Sequence, residues 1–160
     1  MAESAADGPE TDDGRPHLAA MTVPLGRALI AAELPVLRAH GLSMWAYAVL
    51  LALGEEPMRS QSTLAQAIGA DKTRIIGVLD GLQDRGLIER RPDPRDRRVR
   101  LLLLTTEGRR LRDAARADIR RWEDRLLARL ADDDREAFLR GLRTLSALSE
   151  QEIADPDRPS

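Results

Sequence analysis

The stretch from Ser60 to Thr105 leaves fewer folding options than any other part of the chain. It opens with Ser60, a helix N-cap candidate, and QSTLAQAIG, whose Leu64, Ala65 and Ile68 share one face; Gly69-Ala70 then marks a turn. Asp71 is placed to cap a second helix, in which Ile75, Val78, Leu79 and Leu82 follow the i, i+3, i+4, i+7 spacing of a buried face until Gly86 closes it. Two short β-runs follow, Leu87–Arg91 and Arg97–Leu104, joined by the arginine-rich loop RPDPRDRR. Helix, turn, helix and basic two-stranded wing together describe a winged helix-turn-helix, a layout that reads DNA. In that layout the N-terminal end of the second helix meets base edges, and this end exposes Lys72, Thr73, Arg74 and Gly77.

The flanking segments carry helical periodicity of their own. Leu18, Met21, Leu25, Leu29, Leu34 and Leu37 lie on or near one stripe. Thr22 is a plausible N-cap that restarts this helix at Val23-Pro24, Pro35 should kink or break it, and Gly41 ends it. Ser43 caps a second segment, MWAYAVLLAL, apolar nearly all round and so expected in the domain centre; Gly54–Pro57 breaks it, and Met58-Arg59 could add a short strand to the wing. Beyond Thr105 a long helix carries Leu111, Ala115, Ile119, Trp122, Leu126 and Leu130. Asp132-Asp133-Asp134 starts another with Phe138, Leu142, Leu145 and Leu148. These apolar faces exceed what a closed domain needs, and pairing of two copies is their simplest use, with Leu25, Leu29, Trp122, Leu126, Phe138, Leu142 and Leu145 as interface candidates. The expected fold is mainly α with a small β-wing: six helices, of which the N- and C-terminal ones form a dimerisation region.

The corresponding division is a disordered acidic arm over 1–16, N-terminal helices over 17–56 and a DNA-binding region over 57–105. C-terminal dimerisation helices over 106–153 and a flexible tail over 154–160 complete it. The net charge of −2 argues superficially against a nucleic-acid partner. Its distribution argues the other way. Residues 1–16 hold five acids and one Arg, and residues 132–160 hold eight acids and four Arg, so each end carries −4 and the middle carries +6. Residues 85–100 alone hold seven Arg against three acids. At a Debye length of about 8–10 Å, a phosphate feels that local patch rather than the whole chain.

The sequence has no cysteine, which excludes disulfides, thiolate metal sites and thiol redox switching, and its two histidines do not suggest a metal site. No G-x-S-x-G, G-x-G-x-x-G or P-loop is present, so no catalytic residue, cofactor or metal is assigned and an enzyme is not expected. No apolar run approaching a bilayer span is evident and the polar, acidic N-terminus resembles no targeting peptide; the expectation is a cytoplasmic protein without a membrane partner.

The run LAQAIGADKTRIIGVLDGLQDRGLIERRPDPRDRRVRLLLLTTEG resembles the MarR-type (multiple-antibiotic-resistance) transcriptional regulators. The likeness rests on Leu-x-x-x-Gly-Leu-Ile, the Asp-Arg-Arg wing tip and the closing Leu-Thr-x-x-Gly in register. It is close from Leu37 to Leu111 and extends in layout over 18–153. The resemblance implies a homodimer on double-stranded DNA with a pseudo-palindromic site, usually a repressor. Release would come from a small phenolic or otherwise lipophilic effector bound between the DNA-binding lobe and the dimer helices. It makes Arg98 the wing-tip arginine, with Arg95, Asp96 and Arg97 beside it, and Asp96 the acid that braces the wing. It also makes Lys72, Thr73, Arg74 and Gly77 the reading face, and Gln61 and Ser62 phosphate contacts. Gly77 departs from the larger residue usual there, removing one potential base contact.

His40, Trp45 and Tyr47 are candidates for an effector pocket, although a tryptophan at helical spacing equally suits a core and His40 beside Gly41 suits a helix C-terminus. Asp80 reads as a helix-face hydrogen-bonding or ion-pair residue. The alternative to DNA binding is a winged-helix protein-interaction module whose basic wing meets an acidic partner.

Overall fold

A computed structural model describes residue 14 and residues 16–54, 57–58, 61–96, 99–155 and 157, without the side chain of Lys72. The acidic arm, apart from residues 14 and 16, lies outside these residues, as do Ser60, Arg59, Arg97 and Arg98. Among the described residues the chain runs α1 (Leu18–Ala39), α2 (Met44–Ala52), α3 (Gln61–Ala67), α4 (Lys72–Asp84), β1 (Ile88–Pro92), β2 (Arg100–Leu104), α5 (Thr106–Leu127), α6 (Asp132–Ser146) and α7 (Glu150–Ala154). Mainly helical with a two-stranded wing is the architecture expected. The helix count is seven rather than six, because Ser149 and Glu152 form a reciprocal capping box that starts α7 after the chain breaks helix at Ala147.

Two expectations for the first helix are corrected. Thr22 does not cap a restarted helix: it lies inside α1, and its hydroxyl donates to the Leu18 carbonyl at 2.8 Å. Neither Pro24 nor Pro35 breaks α1, which runs 22 residues through both. Each proline deprives one carbonyl, of Ala20 or of Ala31, of its helical donor, but all four residues are exposed and water can serve those carbonyls. α1 also corrects the reading that no stretch could span a bilayer, since by length and hydropathy alone it could. Its C-terminal part instead packs Leu37 into the core.

The core lies where α2, α4, the C-terminal end of α1 and the wing converge. Leu37, Val49, Leu50, Leu53, Leu64, Ile75, Leu79, Leu82, Ile88 and Leu102 are all buried. The Ser43 side chain accepts from the Ala46 amide at 3.1 Å and starts α2, the most apolar helix of the set. β1 and β2 are antiparallel, Ile88 opposite Leu104 and Pro92 opposite Arg100, so the proline sits at the strand end, where a missing donor costs least. Met58 adds one bridge to Leu102.

The junction of wing and α5 explains a motif. α4 ends on Gly86, whose φ of +66° is left-handed, and the Leu87 amide then returns to the Leu82 carbonyl at 2.9 Å. Thr105 caps α5 by accepting from the Gly108 amide at 3.0 Å, while its hydroxyl donates to the Gly86 carbonyl at 2.7 Å. A Cβ on Gly108 would stand 1.9 Å from the Leu87 carbonyl oxygen. Leu-Thr-x-x-Gly is therefore a clamp holding the start of α5 against the start of β1.

Candidate nucleic-acid interface

Three elements supply the residues singled out for DNA. At the start of α3, Gln61 is half-buried and Ser62 exposed. The start of α4 is fixed by Asp71, whose Oδ1 accepts from the Thr73 amide at 2.6 Å. Thr73, Arg74 and Gly77 are exposed beyond it, and the space around Gly77 is open to more than 4 Å from any added Cβ. The first turn of α4 contains no acid, while the sequence puts Lys72 and Arg74 there. Cations at a helix N-terminus oppose its dipole at roughly 0.3–1 kcal/mol each. That arrangement works against the fold and in favour of an incoming phosphate.

The third element is the wing. Arg95 and Asp96 are exposed on its loop, while Arg97 and Arg98 lie outside the described residues. Sequence reasoning missed Asp93, the one buried charged residue among the described residues of this lobe. Its carboxylate accepts from the Arg95 amide at 2.9 Å, its own amide donates to the Val99 carbonyl, and the Val99 amide donates to the Asp96 carbonyl. These bonds fold the loop back on itself. Asp before Pro94 is the available signal, since an Asp side chain that caps its own turn favours this geometry. Behind the wing, Arg90 donates to Asp80 at 2.7 Å, joining β1 to α4. Asp80 is thus the ion-pair residue expected.

The three pocket candidates fall in different places. Tyr47 is buried in the core, and burial, more than its charged neighbours, pushes its phenol up. The Trp45 ring centroid lies 5.5 Å from the guanidinium carbon of Arg74. His40 Nε2 is 2.8 Å from Asp118 Oδ2 on α5, and this hydrogen bond is the first cause holding the Asp118 carboxyl below its ordinary range; Arg121 adds to it. Asp118 in turn lines an open groove of about 350 Å³ between α1 and α5, with Val36, Ala39, Arg121, Trp122 and Arg125. None of the three candidates lines that groove directly.

Among the interface candidates, Leu25, Leu126, Phe138, Leu142 and Leu145 are exposed, and Leu29 and Trp122 are half-buried. α6 has no buried residue at all.

A helix-turn-helix with a braced basic wing defines a winged-helix DNA-binding regulator. Comparison with known proteins makes the class specific. The MarR family profile matches residues 40–99. The transcriptional regulator HosA of Escherichia coli O111:H- is 31% identical over 99 residues, spanning 62% of this chain and 73% of HosA. Among solved structures, CouR from Rhodococcus jostii RHA1 bound to p-coumaroyl-CoA superposes with a TM-score of 0.70 at 30% identity, covering 94% of this chain and 97% of CouR. Rv2887 of Mycobacterium tuberculosis, solved with DNA and with p-aminosalicylic acid, superposes at 0.70 and 27% identity over 82% of this chain and 98–99% of its own. The chain belongs to the MarR family of transcriptional regulators.

Proposed function

We propose that this regulator is a homodimeric repressor that binds a pseudo-palindromic operator and leaves it when an aromatic, anionic effector binds. The division of labour follows the sequence reading: dimerisation through 17–56 and 106–153, DNA contact through 57–105. Gln61 and Ser62 would meet phosphate; Lys72, Thr73, Arg74 and Gly77 would face the major groove; Arg95, Arg97 and Arg98 would serve the wing, with Asp96 as its brace. The observation that carries the reading is the pairing of two unfinished surfaces in one chain. A basic wing is held stiff by buried Asp93, while α1, α5 and α6 expose Leu25, Leu126, Phe138, Leu142 and Leu145. A hydrophobic surface of that extent calls for a partner, and a second copy makes two readers for two half-sites.

The groove beside Trp122 supports the effector assignment. It offers an indole, apolar Val36 and Ala39, and the cationic Arg121 and Arg125, a lining suited to a ring bearing a carboxylate. Arg125 has no carboxylate partner among the described residues. Rv2887, solved with p-aminosalicylic acid, carries a ligand of that chemistry, and CouR, bound to p-coumaroyl-CoA, a phenolic thioester whose charge lies on the CoA phosphates, agrees with an aromatic, anionic effector.

The test is selection of duplexes from a random library by the purified protein, followed by anisotropy titration of the enriched sequence. Each phosphate contact should add about −0.9 to the slope of log affinity against log salt. Arg98→Ala should weaken binding by about 1–3 kcal/mol. Salicylate or p-coumaroyl-CoA should release the duplex. Failure to enrich any sequence, even at low salt, would favour the protein-interaction reading instead.

A further inference from the structure

We propose that Trp45, on α2, is a positioning residue for DNA recognition: its ring holds the guanidinium of Arg74 in place at the start of α4. The inference rests on the DNA-binding reading above but assigns a role that reading does not contain. Four arginines near the reader are tied down by protein oxygens, whereas the wing's Arg95 and Arg100 have no such side-chain partner among the described residues. Arg85 donates to the Gly41 carbonyl, Arg90 to Asp80, Arg109 to the Leu104 carbonyl, and Arg91 pairs with Glu89. Arg74 differs. Among the described residues it has no carboxylate or carbonyl partner, and its contact is the Trp45 ring at 5.5 Å, within cation–π range. The nearest acid in sequence, Asp71, spends an oxygen on the Thr73 amide.

The chemistry of that contact is what suits it to the task. A ring face attracts the guanidinium without consuming its N–H donors, so all five stay available for a phosphate or for the O6 and N7 of guanine. A carboxylate partner would occupy those donors and cancel the charge. The ring also restricts a side chain that otherwise loses substantial rotamer freedom on docking. Helical geometry requires such help here. The core face of α4 is set by Ile75, Leu79 and Leu82, and residue 74 falls on the flank rather than on the outermost line of Thr73 and Gly77. α2 packs against α4, and half-buried Trp45 lies in its first turn, itself held by the Ser43 cap. The ring thus sits on a fixed platform.

The experiment is a double-mutant cycle of Trp45→Leu with Arg74→Ala on the duplex enriched by the wild-type protein, with Trp45→Phe alongside. Trp45→Leu should weaken binding roughly three- to tenfold. Trp45→Phe should restore most of that loss, and Trp45→Leu should have no further effect once Arg74 is alanine. An equal loss from Trp45→Leu in both backgrounds would make Trp45 merely structural and overturn the proposal. So would unchanged binding by Arg74→Ala.

Should Trp45→Leu fail to fold, the Arg74 side-chain Nε–H resonance of the wild-type protein gives a second measurement. An upfield ring-current shift present in the free protein and retained on the duplex supports the proposal, and its loss on binding overturns it. Absence of any enriched duplex would instead remove the DNA-binding reading itself.

Discussion

Single residues explain why short motifs in this chain are so narrow in composition. Gly108 is glycine because the Leu87 carbonyl occupies the volume a methyl would need, not because its backbone is unusual. Gly108→Ala must push α5 off β1 or open the Thr105 cap. We expect it to destabilise the fold by at least about 1–3 kcal/mol, read as a lower urea midpoint with unchanged slope. Gly77→Ala, at an open position, should instead stabilise α4 by up to about 1 kcal/mol. The spacing of Leu-Thr-x-x-Gly was visible in the sequence; the clash that enforces it was not, because the carbonyl it avoids lies 21 residues away. Asp93 was missed for a related reason. An acid among seven arginines reads as surface charge until the loop is seen to close over it.

At the scale of elements, caps and periodicity carried most of the information. Ser43 and Asp71 each cap the helix assigned to them, the long helix expected beyond Thr105 starts there with Thr105 as its cap, and the α4 face of Ile75, Leu79 and Leu82 is buried as its spacing required. What failed was local propensity overruled by context. Proline rules call for a restart at Val23-Pro24 and a kink or break at Pro35, whereas the exposed side of α1 tolerates the missing bonds and its C-terminal turn is held by Leu37. α7 has its sequence signature in Ser149-x-x-Glu152, a short capping box overshadowed by the longer apolar stripe before it. Packing of α1 near α5 also creates an electrostatic cost. Burial, and then the neighbouring Glu123 charge, raise the Glu33 carboxyl above its ordinary value. A raised carboxyl leaves the folded state holding more protons than the unfolded one, so stability falls as pH rises through the window just above the usual glutamate range. Glu33→Gln should therefore melt higher than wild type at neutral pH, and the difference should vanish as pH falls into that range; differential scanning calorimetry at both ends checks it.

For the whole molecule, the unpaired apolar faces of α1, α5 and α6 set the behaviour in solution. If a second copy covers them, melting temperature should rise with protein concentration. Leu142→Glu would place a charge in the seam, and the dimer should weaken by on the order of a hundredfold or more in sedimentation velocity. α5 belongs to both worlds. Thr105 and Gly108 fasten its start to the reader and Ala115 and Ile119 are buried in the core, whereas Leu126 emerges near the far end of this helix of about 33 Å. One residue inserted beyond Ile119 would turn the distal stripe by about 100° and advance it about 1.5 Å, leaving the reader untouched. The helix is a ruler. In the proposed dimer, base recognition and the spacing of two half-sites would be written in separate stretches of chain, so a lineage of such regulators could change operator spacing and operator sequence in independent mutational steps.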